Sequence, residues 1–327
     1  VLFPTTSSLY ISFMHILAIS TTFVPLSGGS ETHCRNLYSA MVAAGHRVTL
    51  ITHASSPELP SAEWIDGIEV LRTRSFVKKI DTPYTVAWEE AIFGALQDIH
   101  KLLGVERTFD IIHTQNQAAL LLGSFMKGAL RCPLVASFHE TCPELDAFGT
   151  QRSEVLISCM PVDAFIVGSR FFYRQVERFG GTADQIHLVY GGVDLQSPTV
   201  CPIDRAELRR LFGIPVSAFT FICIARFKQR KRQLELLDAF FNAVRLNANL
   251  HLVLAGSCNS ASLEYYKRVS KKSASCPVVD TISVRRDLSD DELSKLISIS
   301  DAGILVSKSE GLGLALIEMM SRGIPVQ

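Results

Sequence analysis

The sequence predicts an α/β fold built from two parallel-sheet domains. Three observations lead there. Short apolar runs alternate with stretches of helical period that end at glycine, the order of strand, turn, helix and strand that parallel sheets use. The chain has 327 residues and 47% hydrophobic content, enough for two cores of ordinary size. Near the end, residues 302–326 repeat the unit with which the chain opens: an apolar run, a glycine turn and a helix stopped by Gly323 and Pro325.

Taken in order, residues 14–20 read as the first buried strand, followed by a turn carrying Gly28 and Gly29. A helix over 30–44 stops at Gly45, and 47–52 is the second strand. The turn lacks the G-x-G-x-x-G fingerprint of dinucleotide-binding proteins. Gly28 and Gly29 line an anion or acceptor cleft, or form a plain turn. Residues 67–72 form a strand. Residues 84–103 form a helix whose stripe of Trp88, Phe93 and Leu96 is expected in the core. Strands over 109–113, 133–139 and 164–169 alternate with helices over 116–130 and 170–179. Three prolines and a short charged helix mark the linker. Beyond it come a strand in "FTFICIAR", a basic stretch opening an amphipathic helix, strands over 250–256 and 278–284, a charged helix between them, and a short helix over 290–299.

The formal net charge is zero, so no overall charge draws the chain to nucleic acid or an anionic surface. Eight cysteines without a C-x-x-C pair read as small buried hydrophobes in a reducing, cytoplasmic compartment. No run is apolar and long enough to predict a membrane span. The histidines lack paired ligand spacing and there is no D-x-D, so no metal site is expected.

Candidate site residues gather at two glycine turns and one basic loop. A helix opening at Gly311, Leu312 and Gly313, with Leu314 next to them, offers free N–H groups and a positive dipole end to an anion such as a diphosphate. Glu310 stands at the mouth and Glu318 eight residues on, roughly 12 Å along a regular helix. They are either hydroxyl ligands or two unrelated acids on a solvated face. Five of the seven residues from Arg226 to Arg232 are basic, at the carboxyl end of a buried strand. Solvated surface, nucleic-acid patch, targeting signal and diphosphate clamp all fit this composition. His139, after the strand over 133–139, is structural or a ligand.

The phrase "SEGLGLALIEMMSRGIPV" resembles the E-x7-E segment of retaining glycosyltransferases of the GT-B fold, family 4 type (group 1), and the resemblance covers nearly the whole chain from Met14. It implies two Rossmann-like, doubly wound parallel-sheet domains facing a cleft. Carried over, Glu310 and His139 act on the donor sugar, Glu318 on the nucleotide ribose, and Arg226 and Lys231 on the donor phosphates. Arg232 stands where the family has glycine. The "P..GG.E" loop matches around Gly28 and Gly29, carried over as donor-binding residues, with Glu31 in register, and His113 resembles a second, less specific position. The implied activity is hexosyl transfer from a nucleotide diphosphate sugar with retention and without a metal or other cofactor, in carbohydrate biosynthesis. The acceptor is a carbohydrate, a lipid-linked molecule or a small molecule. No nucleic acid is a partner, and a peripheral membrane contact stays open.

Residues 1–13 are expected as an N-terminal extension, 14–195 as the acceptor-side domain, 196–216 as the linker and 217–327 as the nucleotide-sugar domain. The family continues beyond the position of Gln327, so the second domain is expected to be incomplete. The rival expectation is therefore a truncated, inactive remnant that binds nucleotide sugars or acts as a scaffold.

Overall fold

The computed structural model describes residues 13–26, 28–75, 86–104, 107–138, 151–193, 204–258, 262–308, 310 and 313–327. The chain divides between Val189 and Tyr190 into two compact units.

The first unit contains β1 (His15–Ile19), α1 (Gly29–Ala43), β2 (Arg47–His53), β3 (Ala62–Ile65), β4 (Ile68–Thr73), α2 (Val86–Leu103), β5 (Ile111–Thr114), α3 (Gln117–Leu130), β6 (Leu134–Phe138), α4 (Gln151–Ser158), β7 (Ala164–Val167), α5 (Arg170–Arg178) and β8 (Ile186–Leu188). Its sheet runs β3-β4-β2-β1-β5-β6-β7-β8. Every neighbouring pair is parallel except β3 with β4. Alternate residues of β1 and β2 serve opposite faces. Ile16, Ala18, Val48 and Leu50 pack with Cys34 and Tyr38 of α1, whereas Leu17, Ile19 and Ile51 pack with the cluster containing Ile99 of α2 and Leu122 of α3. A sheet covered on both faces explains why its strands read as continuous apolar runs.

Two elements lay outside the sequence reading. The antiparallel β3 joins β4 through Asp66 and Gly67, both at positive φ (52° and 78°). Asp-Gly is the expected pair for such a two-residue hairpin. Helix α4 was also not foreseen. The aromatic stripe of α2 needs correction at one position: the buried face is Ile92, Ala95, Ile99 and Leu103, with Leu96 packed against the same core, whereas Phe93 is 70% exposed; the Trp88 side chain lies outside the described residues. Cysteine burial holds for Cys34, Cys132 and Cys223, but Cys159 is exposed.

The second unit contains α6 (Arg205–Leu211), β9 (Phe219–Ile224), α7 (Gln233–Leu246), β10 (Leu250–Gly256), α8 (Leu263–Ser273), β11 (Ile282–Arg286), α9 (Asp290–Ser298), β12 (Ala302–Gly303) and α10 (Leu314–Ser321). Its parallel sheet runs β11-β10-β9-β12. Cys223, Leu252 and Leu254 pack with α7 and α8 on one face. Ile222, Val253 and Ala255 pack with Leu208, Leu296, Ile297 and Met319 from α6, α9 and α10 on the other. This is a doubly wound layer structure. The short β12 is extended by Ile304 N–H donating to Ile222 O at 2.9 Å, and Gly303 bridges to Val326 in parallel.

The charged helix that the sequence assigned to the linker is α6, and it is fastened to the second unit. Arg209, 5% exposed, donates to the carbonyls of Ile299, Val216 and Ala218 and to the Asp301 carboxylate. Asp301 also accepts the Thr220 N–H at 2.7 Å and so ties α6 to the start of β9. Burial alone raises the Asp301 carboxyl; the bonds from Thr220 and Arg209 overcome it and hold the group below its ordinary range.

Candidate functional site

Each sheet reverses its strand order once, between β1 and β5 in the first unit and between β9 and β12 in the second. In open α/β sheets ligands bind outside the carboxyl ends of the strands at that switch point, because flanking loops there diverge to opposite faces. The second unit's switch point collects most of the predicted residues.

The chain leaving β9 runs through Ala225, Arg226, Phe227 and Lys228 into a 3-10 turn, Gln229–Lys231, and then Arg232 ahead of α7. Three devices fix this loop. Phe227 is fully buried and meets the Tyr266 ring edge-on at 5.0 Å between centroids. The buried Gln233 amide donates to Arg226 O at 3.0 Å. Gly256, at the end of β10, lets the Ala225 carbonyl pass so closely that a Cβ would overlap it. Arg232 has φ 56° and ψ 34°, the left-handed region that glycine adopts without a steric penalty. The loop therefore keeps the geometry a glycine would give, although arginine occupies the position. The half-buried Arg226 stands at the strand's exit.

The chain leaving β12 returns to the same place. Lys308 N–H donates to Arg230 O at 2.8 Å, which ties the two loops together. Lys231 Nζ and Glu310 Oε1 form an ion pair, with side chains 12% and 26% exposed. Burial pushes the Lys231 ammonium below its ordinary value; Glu310 opposes that shift and Arg230 adds to it. The Cys223 thiol lies within the electrostatic reach of this pair, and burial pushes it up to about 12. It is a packing group and no nucleophile.

Gly313 caps α10 in the left-handed conformation (φ 68°, ψ 48°) and accepts from Leu316 N at 2.8 Å. The helix starts at Leu314, so Glu310 precedes it. The separation expected for one regular helix does not apply: only the stretch from Leu314 to Glu318 is helical rise, about 6 Å. Glu318 is half-buried in the second turn. Burial pushes its carboxyl above the ordinary value, Arg322 draws it down and Asp290 raises it again.

Of the residues expected here, Lys231 and Glu310 are in direct contact, Arg226 follows β9 and Gly313 and Leu314 follow β12, the two strands that flank the switch point, and Glu318 lies one turn further along α10. Gly311, Leu312 and His139 lie outside the described residues. Gly28 and Gly29 belong to the first unit's switch point. Gly28 caps α1 in an extended conformation, its carbonyl accepting from Thr32 N–H at 2.9 Å. Glu31, in the first turn, is 4% exposed and accepts from Ser30 Oγ at 3.1 Å. Among the described residues no cluster of three or more His, Cys, Asp or Glu side chains is arranged to hold a metal ion, and no helix is long and apolar enough to cross a membrane.

Sequence reasoning missed Gln233 and Gly256, because both act on a neighbouring loop's backbone and carry no local motif. It also missed a buried chain across the carboxyl ends of β5 and β6. Gln115 donates to Tyr38 Oη at 2.9 Å, Tyr38 Oη contacts His113 Nδ1 at 3.2 Å, and His113 Nε2 contacts Ser137 Oγ at 2.9 Å. Only His113 gave a signal, through its resemblance to a family position.

A model of Glycosyltransferase Family 4 matches residues 27–197, and a model of Glycosyl transferases group 1 matches residues 204–326. The chain is 22% identical over 328 residues to alpha-monoglucosyldiacylglycerol synthase of Streptococcus pneumoniae, covering 96% of this chain and 70% of the relative. It is 28% identical over 323 residues to N-acetyl-alpha-D-glucosaminyl L-malate synthase of Bacillus anthracis, covering 94% and 77%. Among solved structures, Anabaena HepE in complex with UDP-glucose aligns with a TM-score of 0.74 at 19% identity, covering 96% of this chain and 79% of the other. The shared fold is GT-B.

Proposed function

We infer the reaction from one premise: this chain belongs to glycosyltransferase family 4, with a group 1 glycosyltransferase domain in its second half. It moves a hexose-type sugar from a nucleotide diphosphate sugar to a hydroxyl acceptor, with retention and without a metal ion. The observation that carries this reading is the convergence of Lys231 and Glu310 at the switch point of the second sheet, beside the opening of α10. The names of both relatives specify an α-linked product, and HepE was solved with UDP-glucose, which supports the same class of donor.

The bond between the anomeric carbon and the diphosphate oxygen breaks and leaves an oxocarbenium-like centre. Negative charge grows on the departing diphosphate. Arg226, Lys231 and the N-terminal N–H groups of α10 stabilise it, the task a divalent cation performs elsewhere. Glu310 and His139 orient the sugar, and Glu318 accepts from the ribose hydroxyls. No covalent nucleophile is assigned, so retention requires the acceptor oxygen to attack the face the diphosphate leaves, its proton passing to the leaving phosphate oxygen. Gly28 and Gly29, in the glycine turn that opens α1, help bind the donor.

The test is a thermal-shift panel of UDP-, GDP- and ADP-sugars, followed by transfer in EDTA with the product's anomeric configuration read by NMR. One donor is expected to raise the midpoint, since a ligand at 100 times its Kd stabilises the fold by about 2.7 kcal/mol. Transfer is expected to continue in EDTA with retention. An inverted product, or activity lost in EDTA and restored by magnesium, refutes the mechanism.

A further inference from the structure

We propose that Lys231 and Glu310 form a latch that favours a nucleotide sugar over the bare nucleoside diphosphate and so promotes release of the diphosphate after transfer. The inference rests on the donor-site reading above and deepens it.

The two side chains come from different loops, at the carboxyl ends of β9 and β12, and they form an ion pair with each other. Each therefore already has the partner that a ligand would have to replace. An ammonium group has three donors, and one is committed to Glu310. A diphosphate arriving at Lys231 brings negative charge against the Glu310 carboxylate, and both anions compete for the same cation. Neither side chain is well exposed, so water and salt screen this repulsion only in part. A bare diphosphate must share Lys231 or strip it from Glu310. Stripping leaves a half-buried carboxylate without a cation, which is costly.

An attached sugar reverses the balance. Its hydroxyls donate to Glu310 and replace the bond that Lys231 gave, so both groups end satisfied. Once the sugar has been transferred those hydroxyls are gone. Glu310 draws on Lys231 again, and the hold on the diphosphate weakens. The other charges acting here do not cancel the competition. Arg230 adds positive charge beside Lys231, and the Cys223 thiol stays neutral. Glu318 lies farther along, in the second turn of α10.

The experiment titrates inorganic pyrophosphate, the nucleoside diphosphates UDP, GDP and ADP, and their glucose conjugates into the full chain by calorimetry. The variants are Glu310→Gln, Lys231→Met and the double substitution, each checked for folding by circular dichroism. Glu310→Gln is expected to bind pyrophosphate and the preferred nucleoside diphosphate roughly five-fold or more tightly than wild type. Its preference for the glucose conjugate over the bare diphosphate is expected to fall. In the Lys231→Met background the gain is expected to shrink, because no cation remains to be contested. If wild type binds nucleotides but Glu310→Gln binds the bare diphosphates no better, the latch is wrong and the donor site stands. An undiminished gain in the Lys231→Met background reduces the effect to plain repulsion and also overturns the latch. If no nucleotide binds any folded variant, the donor-site reading falls with it.

Discussion

Replacing Arg232 with glycine should stabilise the second unit. Arg232 sits at φ 56°, ψ 34° between the 3-10 turn and α7. Left-handed geometry costs an L-residue about 1–2 kcal/mol. Glycine gives back about 0.5–1 kcal/mol through the greater freedom of its unfolded chain. The Arg232–Glu235 pair, 3.4 Å apart with side chains 48% and 51% exposed, contributes a few tenths of a kcal/mol at most. The net expectation is a gain of about 0.5 kcal/mol, or roughly 2 °C in midpoint for a unit of this size. Both tryptophans, Trp64 and Trp88, lie in the first unit. The assay is therefore urea unfolding followed by circular dichroism, with the slope unchanged. Binding of the donor should persist, because Arg232 reaches toward Glu235 and not toward Glu310. A lower midpoint would refute the reasoning, since it would mean that the arginine side chain holds the loop and the backbone there is not strained.

Glu318→Gln should change the pH dependence of stability. The folded carboxyl is raised above its ordinary value of 4.5, so ionisation is less favourable in the fold than in the unfolded chain. The stability contributed by the protonated form is complete below that value and is lost as pH rises through the folded value; the variant, compared by midpoint at pH 4 and pH 8, should gain relative to wild type at the higher pH. It should also bind nucleotide more weakly at pH 8, where the carboxylate would otherwise accept from the ribose. Gly256→Ala should push the Ala225 carbonyl aside, costing about 1–3 kcal/mol and displacing Arg226, so that denaturant midpoint and diphosphate affinity fall together. Gly128→Ala, in α3 with nothing within 4 Å of the added Cβ, is the matched control and should stabilise by about 0.5–1 kcal/mol.

Much of the fold was legible because buried parallel strands are apolar on both faces and their helices end at glycine. Ile222 and Cys223 serve opposite faces of one sheet, and both are buried among apolar side chains. The exposed β3 edge was not legible from periodicity, since Trp64 is 65% exposed and four residues carry little pattern; the Asp66-Gly67 pair was the usable sign. Within the site, charge and position pointed to a basic loop and to Glu310 and Glu318, and the resemblance to the family singled out Arg226 and Lys231 within that loop. The contact between Lys231 and Glu310 was not readable, because 79 residues separate them and only the strand order brings β9 beside β12. The bracing by Gln233 was hidden for a different reason: it acts on a backbone carbonyl and carries no local motif.

The central claim is that the switch point of the second sheet holds the donor's diphosphate. Calorimetric titration of the preferred nucleoside diphosphate and its sugar conjugate into wild type and Lys231→Ala tests it most directly. Loss of a charged partner to phosphate is expected to weaken the sugar conjugate by at least about ten-fold, with the far-ultraviolet spectrum unchanged. Equal affinity in a folded Lys231→Ala protein would contradict the account.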